Sequence, residues 1–136
     1  MLLLPGKFQQ AMIAHARITF PNEACGILAG TEGKLEEIYR ASNQEASPVH
    51  YLLDPTEQFR IFQEIEERGW RMRGIYHSHV KAAAFPSRED IEMAFYPDVL
   101  YLILSLRDWQ HPELRGFWIQ GGEVQEEGVE VLQDDT

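Results

Sequence analysis

Between Val99 and Leu106 the chain reads Val-Leu-Tyr-Leu-Ile-Leu-Ser-Leu, apolar almost throughout. A run of this length without charge or turn residues is expected of a central strand, buried in the middle of a sheet. The chain must therefore supply enough other structure to surround it. Its 136 residues suffice for one domain with a real hydrophobic core. The single cysteine, Cys25, rules out an internal disulfide and suits a reducing compartment.

The remaining elements follow from periodicity and punctuation. Phe8, Met12, Ala16 and Phe20, with Ile13 beside them, recur at helical spacing and predict a helix over 7–19, ended by Pro21-Asn22. Cys25 to Gly30 reads as a buried strand, Thr31 to Lys34 as a hairpin turn, and Leu35 to Arg40 as the return strand. Residues 41–48 are a polar loop, and Val49 to Leu53 a further strand. Asp54-Pro55-Thr56-Glu57 is a helix start with a cap, a first-turn proline and a capping-box glutamate. Phe59, Ile61, Phe62 and Ile65 form the stripe of that helix, which runs to about Arg68 with Gly69 as C-terminal cap. Trp70 to His79 is a strand with Met72, Gly74 and Tyr76 on one face. Ser87 to Phe95 is a helix opened by Ser87-x-x-Asp90, and two more strands fall near 114–120 and 123–132. The pattern is α+β: one domain over 1–136, built around a single sheet, with a polar tail at 133–136.

Twelve basic against 22 acidic residues give a net charge of −10. No basic patch stands out; the densest group, Arg68, Arg71 and Arg73, follows glutamates and reads as a solvated helix end. Such a surface repels phosphate backbones and anionic membranes. Met-Leu-Leu-Leu-Pro lacks a basic leader and is too short for a signal peptide, and no run approaches the roughly 18 apolar residues of a membrane span. A soluble, cytoplasmic protein with no nucleic-acid or membrane partner is expected; a homodimer is compatible with the sequence.

The chemistry-bearing segment is Tyr76-His77-Ser78-His79, followed after seven residues by Ser87-Arg88-Glu89-Asp90. On a strand, i and i+2 share a face, so His77 and His79 present two imidazoles to one ion. Zinc favours such nitrogen ligands completed by a carboxylate, and a loop over 80–87 is long enough to bring Asp90 back over the strand end. Three protein ligands leave a fourth position for water. Singly, each residue has an ordinary use: Asp90 favours the helix dipole, Ser87 is an N-cap, and Glu23 sits in a turn.

Together, His-x-His-x7-Ser-x2-Asp with Glu23 upstream resembles the JAMM (MPN+) metalloproteases, zinc-dependent deubiquitinating enzymes and their prokaryotic relatives. The order helix, Glu-x-Cys-Gly strand, hairpin, helix, His-x-His strand, Ser-x-x-Asp helix and apolar strand is similar to that family over about residues 3–130. The resemblance implies a curved, barrel-like mixed sheet flanked by helices in a cytidine-deaminase-like layout. It also implies zinc on His77, His79 and Asp90, Glu23 as general base, and Ser87 as hydrogen-bond donor to the oxyanion. One position departs from the pattern: Val80, then Lys81-Ala82-Ala83-Ala84, stands where the family usually has proline, in a loop that borders the metal.

Short prokaryotic members of this kind act on small ubiquitin-like proteins, including sulfur carriers ending in Gly-Gly. The resemblance therefore implies cleavage after such a tail, which would add as a further strand beside a sheet edge near the site. Alternatives are an inactive interaction scaffold, a zinc peptidase for cell-wall or phage-tail peptides, and a thiol hydrolase using Cys25. Cys25 reads as core packing, and His15, His50 and His111 as surface or supporting residues.

Overall fold

A computed structural model describes residues 1–133; apart from Gln133, the polar tail lies outside the described residues. Eleven elements alternate along the chain: β1 (Leu2–Pro5), α1 (Gly6–Thr19), β2 (Cys25–Thr31), β3 (Lys34–Ala41), α2 (Pro55–Glu67), β4 (Arg71–His79), α3 (Arg88–Glu92), β5 (Leu100–Ser105), β6 (Glu113–Gln120), β7 (Glu123–Glu127) and β8 (Val129–Leu132). Six strands form one sheet in the order β3-β2-β4-β5-β6-β7, and β1 pairs with β8 in a separate two-stranded sheet. Only β4 and β5 are parallel within the large sheet, which makes it mixed. A parallel neighbour requires a crossover, and the segment carrying α3 supplies it.

The apolar run is explained by two cores, one on each face of the sheet. Tyr101 and Ile103 of β5 pack with Ile61 and Ile65 of α2, together with Cys25, Ile27, Ile75 and Phe117. The alternate residues Leu100, Leu102 and Leu104 pack with Phe8, Met12 and Ala16 of α1 and with Leu28 and Tyr76. Each such side chain withdrawn from water contributes about 1.5–3 kcal/mol before chain entropy is counted. The central strand therefore has no solvent face.

The α2 boundaries follow from its caps. Asp54 accepts from the Thr56 and Glu57 N–H groups at 2.9 and 3.0 Å. At the other end, Gly69 N–H donates to Glu66 O and Trp70 N–H to Ile65 O, both at 3.0 Å, with Gly69 at φ +72°. That pairing is the Schellman motif, which needs a residue tolerant of left-handed backbone.

Five expectations are corrected. The sheet is not closed into a barrel. β3 and β7 are free edges, and both carry charge, with Lys34, Glu36, Glu37 and Arg40 on one and Glu123, Glu126 and Glu127 on the other. Charged edges resist pairing. Val49–Leu53 is not a strand: a single bridge joins Asn43 to Leu53. Met72 does not share a face with Tyr76, because the β2–β4 register shifts between Leu28 and Ala29 and moves Met72 to the α2 side. The third helix stops at Glu92 rather than Phe95. Residues 123–132 are two strands, since the chain leaves the large sheet at Gly128 and pairs with β1. Gly116 permits that crossing: a Cβ there would lie 3.2 Å from the Val129, Leu100 and Leu102 side chains. Strand β1 itself was not expected.

Among the described residues, no helix is long and apolar enough to cross a membrane.

Candidate metal centre

His77 and His79 end β4, an interior strand, so their shared face is walled by β2 and β5. The α3 turn brings Asp90 over them. His77 Nε2 lies 3.2 Å from Asp90 Oδ2, His79 Nε2 lies 2.9 Å from the same oxygen, and the two Nε2 atoms are 3.2 Å apart. Among the described residues, these three are the one group whose ligand atoms converge closely enough to hold a metal ion, all within 4.8 Å of one another.

The donor set fits a cation. His79 Nδ1–H donates to Ala83 O at 2.8 Å, which turns the Nε2 lone pair of a neutral ring toward Asp90. With His77 in the corresponding tautomer, lone pairs from two imidazoles and a carboxylate meet at one point, an arrangement that is repulsive unless positive charge sits between them. A proton can bridge one of those contacts; a metal ion answers all three. Burial opposes the charge on Asp90, yet the facing imidazoles hold its carboxyl well below the usual carboxylate range. Burial also opposes a charged His79, but Asp90 and the Ala83 carbonyl outweigh it and raise its pKa. At His77 burial prevails and lowers it. The His77 ring is oriented by stacking on Tyr51, with centroids 4.3 Å apart and planes at 18°. Its buried Nδ1 has no partner among the described residues.

Ser87 and Asp90 form a reciprocal capping box: Asp90 N–H donates to Ser87 Oγ at 3.0 Å and Ser87 N–H to Asp90 Oδ2 at 2.9 Å. The ordinary reading of these two residues is therefore correct as well. Because Ser87 Oγ accepts in the cap, its own proton stays available to a further acceptor.

Glu23 lies between α1 and β2 and lines a cleft of ≈ 320 Å³ with Pro48, Val49, His79, Val80, Lys81, Ala82 and Ser87. It is 4% exposed, and its Oε1 has no partner among the described residues. Burial, opposed by His79 and reinforced by Asp90 and Glu89, pushes its pKa up to about 8. Its backbone is fastened on both sides. Glu23 N–H donates to Ser47 O at 2.8 Å, and Asn43 Nδ2 donates to Glu23 O at 3.1 Å. Ala24 N–H donates to Ser78 Oγ at 2.8 Å.

All five residues picked from the sequence thus border one place. Three supporting residues were missed: Ser78, Tyr51 and Asn43. Ser78 was legible in retrospect, since a polar residue between two histidines on a central strand faces the opposite side and needs a partner there. Tyr51 and Asn43 carried no comparable signal. Cys25 is fully buried, and burial pushes its thiol up to about 12, which leaves no reactive thiolate. His15 is buried rather than superficial and meets the Tyr76 hydroxyl at 2.7 Å. His50 reaches Glu89 at 2.5 Å, tying the 43–53 loop to α3.

A mixed sheet with helices on both faces and a His-x-His pair answered by an aspartate defines a JAB/MPN-type domain. Comparison with known proteins agrees. Residues 5–120 match the family model of prokaryotic homologues of the JAB domain, and the chain belongs to that family. It is 41% identical over 134 residues to a CysO-cysteine peptidase of Mycobacterium tuberculosis, covering 97% of this chain and 92% of that one. It is 35% identical over 127 residues to a desampylase of Haloferax volcanii, covering 84% and 91%. A protein of Desulfitobacterium hafniense with a solved solution structure shares the fold at TM-score 0.89 and 38% identity, over 98% and 94% of the two chains.

Proposed function

We propose that this chain is a zinc peptidase that hydrolyses the bond after the C-terminal Gly-Gly of a small ubiquitin-like or sulfur-carrier protein. The observation that carries the reading is the convergence of His77, His79 and Asp90 beside a cleft lined by His79, Ser87 and the buried Glu23, whose Oε1 has no partner among the described residues. Two neutral imidazoles and a carboxylate suit zinc and leave it an open position. The relatives named as a CysO-cysteine peptidase and a desampylase support the substrate class.

Bound zinc supplies Lewis acidity, lowering the pKa of a water toward neutrality. The remaining chemistry belongs to the chain. Glu23 accepts the proton of the attacking water and returns it to the leaving amine, a role for which its buried carboxylate, lining the cleft beside His79 and Ser87, is placed. Ser87 donates its spare proton to the oxyanion, an interaction worth about 3 kcal/mol in the transition state. The amide C–N bond breaks, water's oxygen remains on the glycine as a carboxylate, and the amine departs protonated. No covalent enzyme intermediate is required.

The position of the site on an interior strand changes how a tail would be held. The free edges belong to β3 and β7, so the tail does not extend the sheet. It lies instead between the 47–50 and 80–83 segments, where two glycines allow close approach without side-chain clash.

The test uses protein purified without added metal. Zinc content near one per chain is expected, with cleavage of a carrier extended beyond Gly-Gly. Replacing the two glycines by alanines should slow that cleavage strongly. Equal rates, or cleavage only of cell-wall peptides, would refute the substrate while leaving a zinc peptidase.

A further inference from the structure

The 43–53 loop lends no group to the chemistry, yet it touches the centre on three sides. Glu23 N–H donates to Ser47 O at 2.8 Å. Tyr51 stacks on the His77 ring. His50 reaches Glu89, the neighbour of Asp90. Residues 42–54 carry no helix or strand of their own, only the bridge from Asn43 to Leu53. Something other than a ladder must therefore hold the loop in place.

One side chain does so. Asn43 Oδ1 accepts from Glu45 N–H at 3.0 Å and from Leu52 N–H at 3.1 Å. Asn43 Nδ2 donates to His50 O at 2.9 Å and to Glu23 O at 3.1 Å. A carboxamide has two N–H donors and two lone pairs, and all four are used here. Turning the amide over would set its oxygen against two carbonyls and its nitrogen against two N–H groups, so the network fixes its orientation.

Two of these partners, His50 and Leu52, bracket Tyr51. The amide thus grips the chain on both sides of the residue that stacks on His77. A third partner lies outside the loop and is the carbonyl of Glu23. Glu23 sits between α1 and β2, in neither element. Its N–H goes to Ser47 and its carbonyl to Asn43, so both of its peptide groups are held by this loop. Its carboxylate stands where the loop puts it.

We propose that Asn43 is a positioning residue that sets the general base and the His77 ring together, by tying the Glu23 carbonyl and the peptide groups flanking Tyr51 to one amide. Its effect on turnover rests on the peptidase reading above; its effect on metal binding does not need a substrate. Misplacing a reacting group by about 1 Å costs as much as roughly 10² in rate. Removing a group that orients a metal-binding histidine costs roughly 10- to 100-fold in affinity.

The test reads two couplings. In zinc-saturated protein, Asn43→Ala should lower kcat for the extended carrier about tenfold or more, with KM within about twofold of wild type. In a Glu23→Gln background the same substitution should change the residual rate by less than about twofold, because the base it positions is already gone. Zinc affinity, measured by competition with a chelating dye, should weaken about tenfold in Asn43→Ala and in Tyr51→Leu, and the double variant should lie within about twofold of either. Asn43→Asp keeps the acceptor for Glu45 and Leu52 and loses both donations, so it should show the kcat loss even where Asn43→Ala fails to fold. A lower melting temperature with kcat and zinc affinity unchanged would leave Asn43 a structural role only and overturn the assignment. Losses that multiply in either double variant overturn it too. If wild type cleaves no extended carrier, the peptidase reading fails, and the zinc coupling between Asn43 and Tyr51 alone decides for or against Asn43.

Discussion

His15 provides a quantitative test of the packing behind the site. Its ring lies under α1 and meets the hydroxyl of Tyr76, the residue immediately before His77. A neutral imidazole nitrogen is the better acceptor, so the phenol is assigned as donor. Burial first, and the Arg40 guanidinium second, lower the His15 pKa from 6.5 to about 4. The sign follows from proton uptake. Above pH 6.5 the ring is neutral in both the folded and unfolded chains and adds nothing to the pH slope. Below that, the unfolded chain takes up a proton that the folded chain refuses until about pH 4, so stability falls as pH drops through this window. The full shift sets a ceiling of about 3 kcal/mol. The residual solvent access of a ring that is 8% exposed reduces the expected loss to about 2 kcal/mol. His15→Asn keeps an acceptor for the Tyr76 hydroxyl and removes the titration. Urea unfolding of the chelated proteins, followed by tryptophan fluorescence at pH 7, 6, 5 and 4.5, isolates the term, because the metal-site histidines are common to both. The wild type should lose about 2 kcal/mol more than the variant between pH 7 and 4.5. Parallel pH profiles would show that the ring is not sequestered as described.

Asp90→Ala should bind no zinc after dialysis and should lose activity with it; near-stoichiometric metal would show that another residue completes the set. Glu23→Gln should retain zinc while turnover falls by about 10² or more, and loss of metal instead would make Glu23 a ligand. Ser87→Ala should show two separable effects: about 1 kcal/mol of stability lost with the cap and a fall of about 10² in kcat. A variant that loses stability but keeps its rate would remove Ser87 from the chemistry.

What was legible in the sequence shares a physical character. Asp54 and Gly69 mark the ends of α2 because caps act over three or four residues, and His77 and His79 share a face because strand periodicity is local. Asp90 was legible because a short crossover returns it to the strand it leaves. The missed features depend on distant partners. Leu2-Leu3-Leu4-Pro5 becomes β1 only because Val129–Leu132 arrives from the far end of the chain. Val49–Leu53 has the alternation of a strand, but Asn43 captures its polar backbone first: the side chain accepts from Leu52 N–H at 3.1 Å and donates to His50 O at 2.9 Å. A local side-chain bond of this kind displaces a ladder. Spacing alone could not bring Glu23 to the site either. That depends on β2 lying beside β4, with Cys25 opposite His77.

The capping box at Ser87 and Asp90 has a consequence for the metal site. The same carboxylate oxygen that faces both histidines also accepts from the Ser87 N–H. Replacing Asp90 by a residue without a side-chain acceptor would therefore remove the partner of the Ser87 N–H together with one donor of the candidate metal site.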